Sequence, residues 1–136
     1  MHYALDRICV VMHSCTVEVI ATDEFVEWYM GLPAKEHDAI YEVVSLLEKR
    51  GVALPFPYTS NIKGSRFPLR ELRKKSGRHQ LRVLYAFDPR RDAVLLIGGD
   101  KTGDDRFYES HVPRAEQVWE RYSAEQRRHR EKEKAR

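Results

Sequence analysis

Cysteine is nearly absent from this chain, with only Cys9 and Cys15 among 136 residues, at a spacing that matches no metal motif. A disulfide-dense secreted scaffold is therefore excluded. The two thiols are expected to be reduced and structural in a cytoplasmic protein, with a disulfide between them as the alternative. Long apolar runs are missing too. A stretch such as Ile8 to Met12 falls far short of the roughly 18 residues of a transmembrane helix and is short even for a signal-peptide core. Histidine pairs at ligand spacing do not occur: His2, His13, His37, His79, His111 and His129 are scattered, so neither a metal nor a cofactor is expected. What remains is an ordinary globular composition, 42% hydrophobic with a net charge of +3, at the length of one domain.

Acid is scarce in one place. From Lys63 to Arg82 there are eight bases, Lys63, Arg66, Arg70, Arg73, Lys74, Lys75, Arg78 and Arg82, against the single acid Glu71. From Asp23 to Arg50 the balance reverses, with seven acids and three bases. So one-sided a field most often serves phosphate, and a solvated basic face without function is the plain alternative.

The apolar periodicity predicts the elements. Cys15 to Ile20 alternates as a strand. Thr22 or Asp23 caps a helix whose apolar face is Phe25, Trp28 and Tyr29, and Gly31 with Pro33 separates it from a second helix. That second helix carries Ile40, Val43, Val44 and Leu47 at core-facing spacing and stops at Gly51. Residues 52–68, with Pro55, Pro57 and Pro68, read as an extended loop. Three strands follow, Leu69 to Lys75, His79 to Phe87 and Ala93 to Gly98, with Leu81, Val83, Tyr85 and Phe87 on one face of the middle one and Arg82 on the other. Pro113 opens a last helix along Ala115, Val118, Trp119 and Tyr122. The expected organisation is an N-terminal extension or extra strand over 1–12, with Met12 as an alternative start to Met1, a domain over 13–123, and a charged, frayed or disordered tail over 124–136.

The order strand, helix, helix, antiparallel meander, with Leu-Arg-Glu-Leu-Arg at 69–73, Leu-Arg-Val-Leu-Tyr at 81–85 and Val-Leu-Leu-Ile-Gly-Gly-Asp-Lys at 94–101, resembles the RelE/HigB/ParE superfamily of bacterial toxins, nearest its HigB-like, phage-derived branch. The resemblance implies a small α+β fold, two N-terminal helices packed on a curved antiparallel sheet, with a C-terminal helix. It also implies a cytoplasmic toxin of a type II toxin-antitoxin system. Its partners would be a cognate antitoxin, a small helix-turn-helix protein, together with the ribosome and mRNA, and no membrane. RelE and HigB proteins cut mRNA in the ribosomal decoding site; ParE proteins inhibit DNA gyrase instead, and an inert nucleic-acid-binding relative is the third reading.

Metal-independent cleavage through the 2′-hydroxyl needs cations on the phosphate and groups that take and give protons. Arg73 and Arg82, on neighbouring strands, are the clamp candidates, their planar forks matching phosphate oxygens. Arg82 aligns with the arginine of the family's second strand motif; an ion pair with Glu71 is its structural alternative. Lys101, Arg106 and Tyr108 match the lysine, arginine and tyrosine that follow the family's last strand, although Asp100, Asp104 and Asp105 interrupt that element. Lys101 or Tyr108 can act as a base only if neighbouring cations lower its pKa, and Tyr108 can instead stack on a nucleobase or pack in the core. Lys63, Arg66, Arg70, Lys74, Lys75 and Arg78 are the expected RNA-binding residues.

Overall fold

Thr22 is the hinge on which the N-terminal half turns. Its backbone N–H bonds to Leu95 O at 3.1 Å, and its hydroxyl lies 2.8 Å from the same carbonyl while accepting the Phe25 N–H at 3.3 Å. One buried side chain thus ends a strand, caps a helix and ties both to the centre of the sheet. The computed structural model describes residues 17–135, and before them only the backbone of three two-residue strands, β1 (Tyr3–Ala4), β2 (Cys9–Val10) and β3 (Ser14–Cys15). The thiols of Cys9 and Cys15 and the alternative start at Met12 lie outside the described residues.

The chain continues through β4 (Val19–Ala21), α1 (Asp23–Met30), α2 (Ala34–Arg50), a short 3-10 turn (Gly51–Ala53), β5 (Thr59–Asn61), β6 (Arg70–Ser76), β7 (His79–Phe87), β8 (Ala93–Asp100) and α3 (Phe107–Lys134). The sheet order is β1-β4-β8-β7-β6-β5. β5 to β8 form an antiparallel meander, and β4 joins the other side of β8 in parallel, so the sheet is mixed rather than the wholly antiparallel one expected. The fold is the α+β arrangement that the family resemblance implied.

Ile40, Val43, Val44 and Leu47 are all at most 2% exposed and meet Leu72, Leu81, Val83 and Tyr85 in one core. Each such side chain removed from water contributes about 1.5–3 kcal/mol. Leu84, Ala86, Val94 and Leu96 point to the opposite face, where Phe107, Ala115, Val118 and Tyr122 of α3 cover them. β7 and β8 are therefore buried on both faces. Gly98 and Gly99 admit this at the end of β8: a Cβ on Gly98 would fall 2.2 Å from the Trp28 ring, and one on Gly99 2.6 Å from His111 Nε2. Gly51 ends α2 with φ 55°, a conformation that favours glycine.

Four expectations are corrected. The first core strand is not Cys15 to Ile20 but Val19–Ala21, all three residues buried, because it sits between β8 and β1 rather than at a half-exposed edge. The 52–68 loop contains β5, whose three residues pair with Arg70 to Leu72. β8 runs on to Asp100, closing the ladder opposite Leu81. The last helix begins at Phe107, six residues before Pro113, where the Phe107 ring is buried in the space that Gly99 leaves open. The helix also runs through the charged tail to Lys134, with most side chains beyond Ser123 exposed. Among the described residues no helix is long and apolar enough to cross a membrane.

Val44→Asp should cost several kcal/mol in urea unfolding by burying an unpaired charge, whereas Tyr41→Asp, three residues earlier and 57% exposed, should change stability by about 0.5 kcal/mol or less. Equal losses would contradict the helix phase.

Candidate nucleic-acid interface

A strand's alternation divides its side chains between two faces, and in β6 this splits the basic run. Arg70 and Lys74 turn with Leu72 toward α2. Arg70 Nε donates to the Tyr85 hydroxyl at 3.3 Å and Lys74 Nζ reaches Glu42 at 2.9 Å. Glu71, Arg73 and Lys75 take the other face, in register with Leu84, Arg82 and Gln80 of β7. Arg73 and Arg82 are thus two like charges directly opposite each other, an arrangement that needs compensation.

Glu71 supplies it. Both Glu71 and Arg82 are 6% exposed, and Arg82 Nε lies 3.5 Å from Glu71 Oε1. Tyr108, reaching across from the first turn of α3, donates its hydroxyl to the same oxygen at 2.7 Å, and Ser60 of β5 donates to Oε2 at 2.8 Å. Arg82 Nη1 donates to Leu81 O, while its Nε has no hydrogen-bond acceptor among the described residues despite being buried. The ion pair is therefore one of charge proximity rather than a matched fork. Burial, the bond to Glu71 and that carboxylate's charge together raise the Tyr108 phenol above its ordinary value, against the opposing pull of Arg82. At neutral pH Tyr108 is a proton donor and not a base.

Beside this cluster a groove of roughly 500 Å³ opens along β6 where β5 has ended. Arg73, Lys74, Lys75, Gln80 and Arg82 line it from the strands, Pro57 and Tyr58 from the loop, and Val43 and Leu46 from α2. Among the described residues neither Arg73 nor Lys75 has a carboxylate within salt-bridge distance. The Arg73 guanidinium stands 5.3 Å from the Phe56 ring centre instead.

The other expected site residues are placed less centrally. Lys101 Nζ is 6.0 Å from the Tyr108 ring centre, so Lys101, Tyr108 and Arg82 form one group. Arg106 is exposed at the start of α3, with its N–H bonded to Asp104 Oδ1 at 3.0 Å. Arg66 is turned away to Glu116 and Glu120 of α3, at 3.9 and 3.1 Å, and Lys63 and Arg78 are exposed outside the groove. Two of the three interrupting acids, Asp100 and Asp104, have structural work. Asp100 binds His79 and the N–H groups of Gln80 and Thr102; burial tends to raise its pKa, but these bonds outweigh that and hold it below the ordinary carboxylate range. Asp104 caps the turn into α3. His111 stacks on Phe107 with ring centres 4.0 Å apart, and its Nδ1 lies 2.9 Å from Phe107 O. It belongs to the packing against Gly99.

Two members of the site escaped sequence reasoning. Ser60 was hidden because a three-residue strand between prolines carries no periodicity. Phe56 was legible only as an aromatic between Pro55 and Pro57, a hint of a fixed, projecting ring. Among the described residues no three His, Cys, Asp or Glu side chains are grouped to hold a metal ion.

With fold and site in view, the chain's relatives can be placed. Residues 27–120 match the family described as "Phage derived protein Gp49-like (DUF891)". The chain is 33% identical over 101 residues to the Mycobacterium tuberculosis protein named "Putative toxin HigB2", covering 72% of this chain and 50% of that protein. It is 34% identical over 108 residues to that organism's "Putative toxin HigB3", covering 78% of this chain and 93% of that protein. The chain thus spans half the length of the first and nearly all of the second. No solved structure matches it. The chain belongs to the phage-derived Gp49-like family, on the HigB-like branch that its strand motifs resembled.

Glu71→Leu strands the Arg82 guanidinium in a buried position and should cost about 3–5 kcal/mol in urea unfolding. The double variant Glu71→Leu, Arg82→Leu should recover most of that loss, since it leaves no buried charge. A single-variant cost of about 1 kcal/mol or less, the range of a surface pair, would contradict the cluster as described.

Proposed function

We propose that this chain is the toxin of a toxin-antitoxin pair and cuts mRNA on the ribosome by metal-independent attack of a 2′-hydroxyl. The observation that carries the reading is the groove at the open end of β6, where Arg73 and Lys75 have no carboxylate partner among the described residues and stand beside the fixed Arg82. Cations on one wall of a groove are suited to a polyanion, and membership of a family of toxins supports the toxin half of the reading.

In this mechanism Arg73 and Arg82 hold the non-bridging oxygens of the scissile phosphate while charge builds on them. The 2′-oxygen passes its proton to solvent water and bonds to phosphorus, and the bond from phosphorus to the 5′-oxygen breaks. The fragments are a 2′,3′-cyclic phosphate and a 5′-hydroxyl, the latter needing one proton. Tyr108 supplies it: burial and Glu71 keep its phenol protonated, and its hydroxyl turns from Glu71 to the leaving oxygen as charge builds there. Lys101, near the tyrosine ring, adds positive charge where the leaving oxygen turns anionic. Lys75 and the more peripheral Lys63, Arg70, Lys74 and Arg78 serve the flanking phosphates, and Arg66 acts through the loop it ties to α3. The cognate antitoxin, a small helix-turn-helix protein, neutralises this activity.

Arg73→Ala should lower ribosome binding and cleavage together, because its charge acts before and during the reaction. Tyr108→Phe should lower cleavage about a hundredfold at nearly unchanged binding. Primer extension on messages from cells induced without antitoxin reads the cuts. Growth arrest with intact messages and inhibited supercoiling would replace this mechanism by a ParE-like action on gyrase. Absence of both arrest and cuts would mark an inert relative.

A further inference from the structure

Phe56 is out of place on an ordinary surface. Its ring is 70% exposed at the lip of the groove, although burying a phenylalanine is worth about 1.5–3 kcal/mol. Pro55 before it and Pro57 after it restrict the backbone, so the ring is held out rather than left to find the core. Arg73 stands 5.3 Å from the ring centre, and Tyr58, two residues on and 42% exposed, lines the groove together with Arg73, Lys75 and Arg82.

An exposed aromatic ringed by apolar side chains fits a protein partner. This one carries the Arg73 guanidinium over its ring and adjoins a groove where cations (Arg73, Lys75, Arg82) alternate with apolar groups (Val43, Leu46, Tyr58), which points to a ligand alternating flat apolar faces with negative charge, and single-stranded nucleic acid has that alternation. Resting on the reading of the groove as an RNA-binding site, we propose that Phe56 is a stacking shelf for one unpaired nucleobase. Arg73 covers one face of the ring and bonds the adjoining phosphate, while the base takes the other face. The shelf fixes which nucleotide lies against the cations, so it positions the strand without taking part in the chemistry.

The test uses the full-length protein and a fluorescent seven-nucleotide single-stranded RNA, with binding followed by anisotropy at low salt. Phe56→Ala and Phe56→Leu should each weaken binding by roughly 5- to 150-fold, the range of one lost base stack, and Phe56→Trp should bind as tightly as the parent or more so. The leucine variant keeps apolar bulk, so its loss reports the π face. An abasic nucleotide placed at each position in turn should, at one position only, weaken the parent by a similar factor and leave Phe56→Ala unchanged. All variants should unfold at the parent's urea midpoint, the ring being exposed. Tight binding by Phe56→Leu, or equal abasic losses in parent and variant, would overturn the shelf while leaving the cationic groove intact. If the parent itself fails to bind the RNA, the groove assignment falls along with the shelf.

Discussion

Burying the Arg82 guanidinium within a sheet is the constraint around which this surface is arranged, and the Glu71 carboxylate is what makes it tolerable. A buried charge without a counter-charge costs several kcal/mol, more than any single packing contact returns. Glu71 answers it from the neighbouring strand and at the same time accepts hydrogen bonds from Ser60 and Tyr108, so one carboxylate joins β5, β6, β7 and α3. The consequence is an asymmetry between two arginines in register. Arg82 is held in place beside Glu71, while Arg73, outside the cluster, has no described carboxylate partner.

The strongly basic segment is less available than its composition implies. Arg66, Lys74 and Arg82 have carboxylate partners on α3, α2 and β6, and Arg70 is bonded to Tyr85 and Asn61. Those contacts fasten loop, helix and strand to one another. Lys63, Arg73, Lys75 and Arg78 have no described carboxylate partner, and of these Arg73 and Lys75 line the groove. Counting charge along a chain thus locates a basic region but not the part of it that faces a ligand.

Most of the fold was legible because its signals are local. The i, i+3, i+4, i+7 stripe of α2, the stop at Gly51 and the two-faced alternation of β7 each follow from side chains a few residues apart. Three things were not. β5 exists because β6 offers it a ladder. α3 starts early, at a Phe107 ring that fills a space Gly99 leaves open. Val19–Ala21 is buried on both sides by partners distant in sequence. The candidate site was divided in the same way. Arg73, Arg82, Lys101 and Tyr108 could be named from their strand positions and motif, and Glu71 as the possible partner of Arg82. That Tyr108 would be a hydrogen-bond donor to Glu71, and that Asp100 and Asp104 would serve turns rather than oppose phosphate, depend on contacts between elements that the sequence does not place side by side.

The shortness of β5 matters in a different way for the life of the protein as a solute. Where β5 stops, the outer edge of β6 from Lys74 to Ser76 has no described strand beside it, and an open edge invites another chain to add itself. The residues along that edge and its approach are Arg73, Lys74 and Lys75, whose charges repel a second copy of the same strand. The cations that line the groove therefore also oppose pairing of this edge with a second copy of the sheet.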